Sequence, residues 1–486
     1  MTRASVSRDV RDRDALTWGL HTLLVGVLIW RHEPWRDELQ AWSIALASKN
    51  PLDLFPNTRL EGRPPGWQIL LWPFAQATSS PRMMQLVAFV IGSIAAWWWL
   101  RRTSLHWRVK ALMLFGFLFT GGYLVHARDY VLSLLVLVAA TAVYERRGAG
   151  LHLAAVLCVL SFVNAFSLAM AAAFVAAVWL PEILRLLQAD RQRRLEVLGG
   201  LLLCAGWFAW AGYLTYPSSE NQFQVGKYKG FGRALTQSVI NVDYSNVFMQ
   251  RVDNFIALAL MIAALMYMWM HSRVAFAFVG LSLSMLMYNL TYGYGDYWWH
   301  FGNAFIVIAV GTCFPRRIAE PSQQLGTSGV KRVVQFVGVM GVTLIALVNF
   351  AANWYGAGKD VYSSRPYSMT AAAASQLREI CDGCTIIVDW DAIGAGISAQ
   401  LGGREIYYLN RSEFGTFAKF SNKNIAPTWD DAIAAMARFD KPLLVRTAFL
   451  PDPAPAEFEL VGIHLDGVHD HNLIWQSGNK RVLPDD

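Results

Sequence analysis

Charge is what this chain has least of. Only 16% of its 486 residues are Asp, Glu, Lys or Arg, while 55% are hydrophobic; ordinary soluble domains carry about 25% charged residues. So few charges cannot clothe the surface of a soluble protein of this length. Soluble enzymes and nucleic-acid-binding modules are thereby excluded. Cysteine is scarce as well, with five residues, which excludes a disulfide scaffold. The apolar content excludes a disordered chain, and 37 Gly without a period exclude a collagen-like one. No internal repeat stands out. What is abundant is aromatic: 20 Trp, 27 Phe and 17 Tyr, residues that crowd at membrane interfaces. The composition predicts a mostly α, polytopic membrane protein.

A crossing needs roughly 20 apolar residues to span about 30 Å of hydrocarbon. Windows free of Asp, Glu, Lys and Arg fall at Ala15–Trp30, Met83–Leu100, Ala111–Ala127, Tyr130–Tyr144 and Gly148–Pro181. Five more lie at Val197–Ser219, Phe255–Ser272, Val274–Gly295, Tyr297–Pro315 and Val333–Gly358. Gly148–Pro181 is too long for one crossing. Arg146 and Arg147 precede it, and Arg185, Arg191, Arg193 and Arg194 follow. Positive-inside logic puts both flanks in the cytoplasm, so this window must cross twice, turning near Asn164. The count becomes about eleven transmembrane helices, with the N-terminus inside and the C-terminus outside. Ala15–Trp30 runs into Arg31–Trp35 without a small-residue cleavage site, and is expected to stay as the first span.

Charge placement agrees with that topology. The assigned inner segments hold 19 Lys and Arg against 8 Asp and Glu, and the outer ones 23 against 27. The net charge of +7 is therefore a topology signal rather than a polyanion-binding patch, and no nucleic-acid partner is expected. Residues 1–355 form the transmembrane module, with a first outer loop at 31–82. Residues 356–486 form a small C-terminal extracytoplasmic α/β domain, its fold starting near Tyr362. Thr385–Trp390, Glu405–Leu409 and Leu443–Arg446 are β-rich runs there, and Asp430–Arg438 has helical character. Cys381 and Cys384 in this tail admit a local disulfide or two free thiols; zinc would need two further ligands. Gly394-Ala395-Gly396 matches a dinucleotide fingerprint weakly and reads better as a tight strand-to-helix turn. His464, His469, Asp470 and His471 read as a solvated surface.

The chemistry-bearing segment is His32-Glu33-Pro34-Trp35-Arg36-Asp37-Glu38, directly after the first span. Carboxylates favour a helix N-terminus, and Leu39–Ala47 reads as an interfacial helix with Trp42 on its apolar face. Farther on, Glu61-Gly62-Arg63-Pro64-Pro65-Gly66 makes a sharp turn into a second short apolar helix. A first span, an acidic pair, an interfacial helix and this Pro-rich turn resemble the GT-C superfamily of integral membrane glycosyltransferases. The likeness is to the bacterial branch that includes protein O-mannosyltransferase and aminoarabinose transferase relatives. His126-Ala127-Arg128-Asp129-Tyr130 resembles that family's Ala-Arg-x-Tyr element. Trp298-Trp299-His300-Phe301-Gly302 resembles its Arg-His-x-Gly element, with Trp299 in place of Arg; Arg63 stands where relatives commonly carry His.

The resemblance covers residues 15–355. It implies a polyprenyl-phosphate-sugar donor, a glycan, lipid or protein acceptor, inversion at the anomeric carbon, and Asp37 as catalytic base. It also implies a multi-pass protein of the bacterial inner (cytoplasmic) membrane, its site facing the periplasm. Elementary chemistry asks for the same parts. An acceptor hydroxyl needs one carboxylate base, and a phosphate leaving group needs positive charge, best from Arg. Asp37 and Glu38 are the catalytic candidates. Arg36, Arg63, Arg128, Tyr130 and His300 are the substrate-binding ones, with Lys227 and Lys229 as further cations. The residues name no particular cofactor; Asp129, with Asp37, Glu38 and His300, permits a divalent metal without demanding one. Two other classes use similar parts. A lipid-linked polysaccharide polymerase or ligase would favour a large late outer loop, and a lipid or saccharide transporter would carry ionisable residues near mid-span.

Overall fold

The computed structural model describes residues 8–185, 190–222, 247–292, 300, 302–315, 329–355, 365–447, 454–456, 458–465 and 472–477. It is mostly helical. In chain order the longer helices are α1 (Arg8–Arg31), α2 (Arg36–Ala47), α3 (Gly66–Ala77), α4 (Arg82–Arg102), α5 (Trp107–Leu114), α6 (Tyr130–Arg147), α7 (Leu151–Ser161) and α8 (Ala165–Ile183). There follow α9 (Arg191–Thr215), α10 (Val247–His271), α11 (Arg273–Tyr292), α12 (Asn303–Gly311) and α13 (Gly329–Tyr355). The tail adds α14 (Thr370–Ile380), α15 (Asp391–Gln400) and α16 (Trp429–Arg438). Contacts divide the chain into two compact units.

The first unit takes the described residues of 1–30, 88–216 and 224–359. Six helices among the described residues are long and apolar enough to cross a membrane: α4, α8, α9, α11, and the apolar parts of α10 and α13. Five of the eleven expected crossings are not among these six: Ala15–Trp30, Ala111–Ala127, Tyr130–Tyr144, the first half of Gly148–Pro181 and Tyr297–Pro315. Two of these windows break internally. Ala111–Ala127 is helical only through Leu114, and residues 115–129 run on as buried turns. Gly116, Gly121 and Gly122 weaken helix there, and α13 supplies the missing backbone partners. Asn349 Oδ1 accepts from Leu118 N at 3.1 Å, and Asn353 Oδ1 from Gly121 N at 2.9 Å. Irregular backbone inside a membrane is tolerated only when protein satisfies it in this way. The other is Gly148–Pro181, which breaks where expected: Asn164 caps α8, its side chain accepting from Ser167 N at 2.8 Å. The preceding helix, α7, has 11 residues and is about 16 Å long, roughly half the hydrocarbon thickness.

Close packing holds these helices together. A Cβ added at Gly338 or Gly341 of α13 would collide with Tyr267 or Ala263 of α10, the close approach that small residues allow between apolar helices. Lys110 is buried yet satisfied, its Nζ donating to Leu100 O at 2.7 Å and lying 3.3 Å from Asp14.

The second unit combines the described residues of 31–87, 217–223 and 360–486. The 31–82 loop and the tail are thus packed together. Its sheet holds β1 (Thr385–Val388), β2 (Ile406–Tyr408), β3 (Glu413–Gly415), β4 (Pro442–Thr447), β5 (Phe458–His464) and β6 (Asn472–Ser477), in the order β3-β2-β1-β4-β6-β5. β1 pairs parallel with β2 and β4; the other three pairings are antiparallel. Ile386, Val388, Leu443 and Val445 face Leu377, Ile393 and Ile397, whereas Ile387 and Leu444 face Ala432 and Met436. That alternation is the period-2 pattern of strands covered on both faces. Cys381 and Cys384 form a disulfide with Cα atoms 5.0 Å apart. Gly394 and Gly396 do not make the expected turn. They lie inside α15, where a Cβ at Gly394 would strike Tyr408 and one at Gly396 would meet Thr370 at 2.9 Å. Helix packing is what these glycines serve.

Candidate active site

In the second unit the acidic pair is split by one helical step, because neighbours on a helix point about 100° apart. The Glu38 side chain is fully buried. Its Oε2 lies 2.8 Å from His32 Nε2 and accepts from Trp35 N at 3.1 Å, closing the first turn of α2. His32 is fixed in turn: its carbonyl accepts from Arg82 Nη1 at 2.8 Å and Gln85 Nε2 at 3.0 Å, and its ring packs on Tyr367 at 4.9 Å. Asp37 points the other way, with 30% of its side chain exposed and its Oδ1 3.8 Å from Arg36 Nε. The Arg36 guanidinium also lies over the Trp35 and Trp390 rings, at 5.6 and 4.6 Å.

One turn along α2, Gln40 Nε2 donates to Glu61 Oε1 at 2.8 Å, and Arg63 Nη2 pairs with the other Glu61 oxygen at 2.8 Å. The Pro-rich turn that carries Arg63 is thereby tied to α2. Arg63 is an ion-paired residue here, its charge offset by Glu61.

In the first unit the turn segment ends in Arg128-Asp129-Tyr130. Asp129 and Tyr130 are buried, and Tyr130 stacks on Tyr123 at 4.4 Å. The Arg128 guanidinium sits 5.5 Å from the Tyr130 ring centroid. His300 packs on Phe166 at 5.1 Å, and its carbonyl accepts from Asn303 Nδ2 at 2.8 Å. Trp298, Trp299, Phe301, Lys227 and Lys229 lie outside the described residues, as do His469, Asp470 and His471. An apolar groove of about 640 Å³ runs along α1, lined by Trp18, Thr22, Gly26, Trp30 and Phe89.

Among the described residues no group of three or more His, Cys, Asp or Glu side chains is placed to hold a metal ion. Glu38 is engaged by His32 and the Trp35 amide. His464, half-buried, lies with its Nε2 2.8 Å from Gln376 Oε1 rather than on a solvated surface.

At the carboxyl end of β1 stands a second polar cluster that sequence reasoning missed. Burial pushes the Asp389 carboxyl up to about 6 against the pull of Arg446, whose Nε lies 3.2 Å away and whose guanidinium stacks on Trp429. Asp391 is likewise raised by burial, opposed by Arg411 at 3.4 Å. Trp390, Tyr367 and Glu61 also escaped the sequence. Each matters through a neighbour distant along the chain, and only the Asp-Trp-Asp run after a β-rich stretch hinted at one of them.

Comparison with known proteins finds no match: no protein-family model, curated protein or solved structure corresponds to this chain. The functional reading therefore rests on the residues themselves.

Proposed function

We propose that this chain is an integral membrane glycosyltransferase of the GT-C type. It moves a sugar from a polyprenyl-phosphate donor to a hydroxyl acceptor on the outer side of a bacterial inner membrane. The observation that carries the reading is the division of labour between adjacent carboxylates: Glu38 buried and holding the start of α2, Asp37 partly exposed. A carboxylate held at a helix start just beyond an apolar helix, with one side open, suits a general base.

In this reading Asp37 takes the proton of the acceptor hydroxyl as its oxygen attacks the anomeric carbon. The bond from that carbon to the phosphate oxygen breaks, and the phosphate departs with the electron pair, so the configuration inverts. Arg128 is assigned to the donor phosphate, Arg63 and Arg36 are the cations of the first loop, and Tyr130 and His300 are assigned to substrate. The groove along α1 suits the prenyl tail. The chain crosses the membrane eleven times by the sequence count, with shorter helices and the 115–129 turns supplying crossings that no single helix covers. The N-terminus is cytoplasmic, and the sheet-bearing tail is extracytoplasmic.

The test is transfer by purified protein from a panel of polyprenyl-phosphate sugars, with the product anomer read by NMR. Transfer with inversion is expected. Retention, or transfer from none of the panel, contradicts the proposal.

A further inference from the structure

We propose that Trp390 and Arg36 form a saccharide-binding platform beside Asp37, so that the acceptor hydroxyl belongs to a carbohydrate chain. The inference rests on the glycosyltransferase reading and names the acceptor class which that reading leaves open. The second unit contains seven tryptophans. Trp35, Trp42 and Trp67 are buried, Trp72, Trp429 and Trp475 half-buried, and Trp390 alone is exposed, at 41%. An exposed indole in a unit that covers every other one calls for a use.

Its position is informative. Trp390 lies two residues beyond β1, at the carboxyl end of the parallel strands. The chain leaves β1 through α15 to reach β2 on one side and returns through α16 to β4 on the other. β1 and β4 therefore meet at a topological switch point, where open α/β sheets receive ligands. The α2 helix is held against this place. Ser43 Oγ donates to Ala395 O at 2.9 Å, and Gly396 lets Leu39 approach to 3.5 Å of where a Cβ would stand. That packing sets Arg36 over the indole at 4.6 Å, with its Nε 3.8 Å from Asp37 Oδ1.

A flat apolar ring, a donor fork and an acceptor carboxylate thus share one small surface. A pyranose has matching parts: a C–H face that stacks on indole, hydroxyl oxygens that accept from guanidinium, and hydroxyl protons that a carboxylate accepts. A membrane-anchoring indole would need apolar flanks. Trp390 instead has the part-exposed Arg36 guanidinium over its ring, a charge that is costly to bring into hydrocarbon.

The full-length protein in lipid nanodiscs, free of sugar-based detergent, is titrated with neutral tetrasaccharides of mannose, glucose and galactose. Binding of at least one is expected. Trp390→Ala should weaken it roughly tenfold, the equivalent of one stacked ring, while Trp390→Phe should retain most of it. Binding of none by the wild type, or equal binding by Trp390→Ala, overturns the proposal. So does quenching of the Trp390 fluorescence (wild type minus Trp390→Phe) by brominated lipid, which would assign the ring to the membrane interface. Donor transfer is read on the same preparation. Saccharide binding without transfer from any donor sinks the glycosyltransferase reading and leaves the platform standing; transfer without saccharide binding does the reverse.

Discussion

Replacing Glu38 by Ala removes a fully buried carboxylate and leaves two groups behind, the His32 ring and the Trp35 amide. Leaving a buried polar group such as the His32 ring without its partner costs about 1–3 kcal/mol. The amide bond to a carboxylate is itself a charge-assisted contact worth about 1.5–3 kcal/mol. No relief comes from solvent, because the Glu38 and His32 side chains are both fully buried. The expected loss is therefore about 2.5–6 kcal/mol, concentrated in the second unit. Glu38→Gln should lose less, since its carbonyl oxygen can still accept from Trp35 N. The assay is thermal unfolding in nanodiscs, with exposure of the Cys381–Cys384 disulfide to reductant reporting on the second unit. Expected stability runs wild type, Glu38→Gln, Glu38→Ala in falling order. If Glu38→Ala unfolded like the wild type while transfer vanished, Glu38 would be the reacting carboxylate and the division of labour would be reversed.

Three further outcomes follow. Arg128→Ala should weaken donor binding by the equivalent of about 2–5 kcal/mol, the usual cost of removing the charged partner of a buried anion; unchanged donor affinity in a binding titration would return Arg128 to packing on Tyr130. Asp389, raised from 3.8 to about 6 by burial, contributes stability that is full below about pH 4 and lost as pH rises through 6, about 3 kcal/mol in all. The melting temperature of wild type minus that of Asp389→Asn should accordingly fall between pH 4 and 6.5, and a flat difference would refute the assignment. A C-terminal reporter that is active only in the cytoplasm should stay silent, and a signal from it would show that the number of crossings is even.

Much of the fold was legible because its signals are local. The break at Asn164 shows in a charge-free window too long for one helix and flanked by Arg on both sides. β1, β2 and β4 show as short β-branched runs, and all three appear within two residues of their expected ends. The 115–129 segment was not legible. Its apolar residues suit a helix, and only Asn349 and Asn353, more than 200 positions later, make its turns affordable. β5 and β6 were missed because their alternation is interrupted by polar and glycine residues, and α15 because two glycines in a short run read as a turn. The site divides in the same way. Helix geometry separates Asp37 from Glu38, since adjacent positions cannot face one target; the choice of Asp37 as the base comes from the resemblance. Trp390 could not be placed beside Arg36, because packing between α2 and α15 brings together residues some 350 positions apart.

The most direct test of the central claim compares wild type with Asp37→Asn in single-turnover transfer from a polyprenyl-phosphate sugar, with donor affinity measured in parallel. Asn keeps the size and a hydrogen-bonding oxygen but cannot take the proton. Transfer should fall about 10²–10⁴-fold, as for loss of a general base, while donor affinity and melting temperature stay at wild-type values. Near-normal transfer by a folded Asp37→Asn protein would contradict the account.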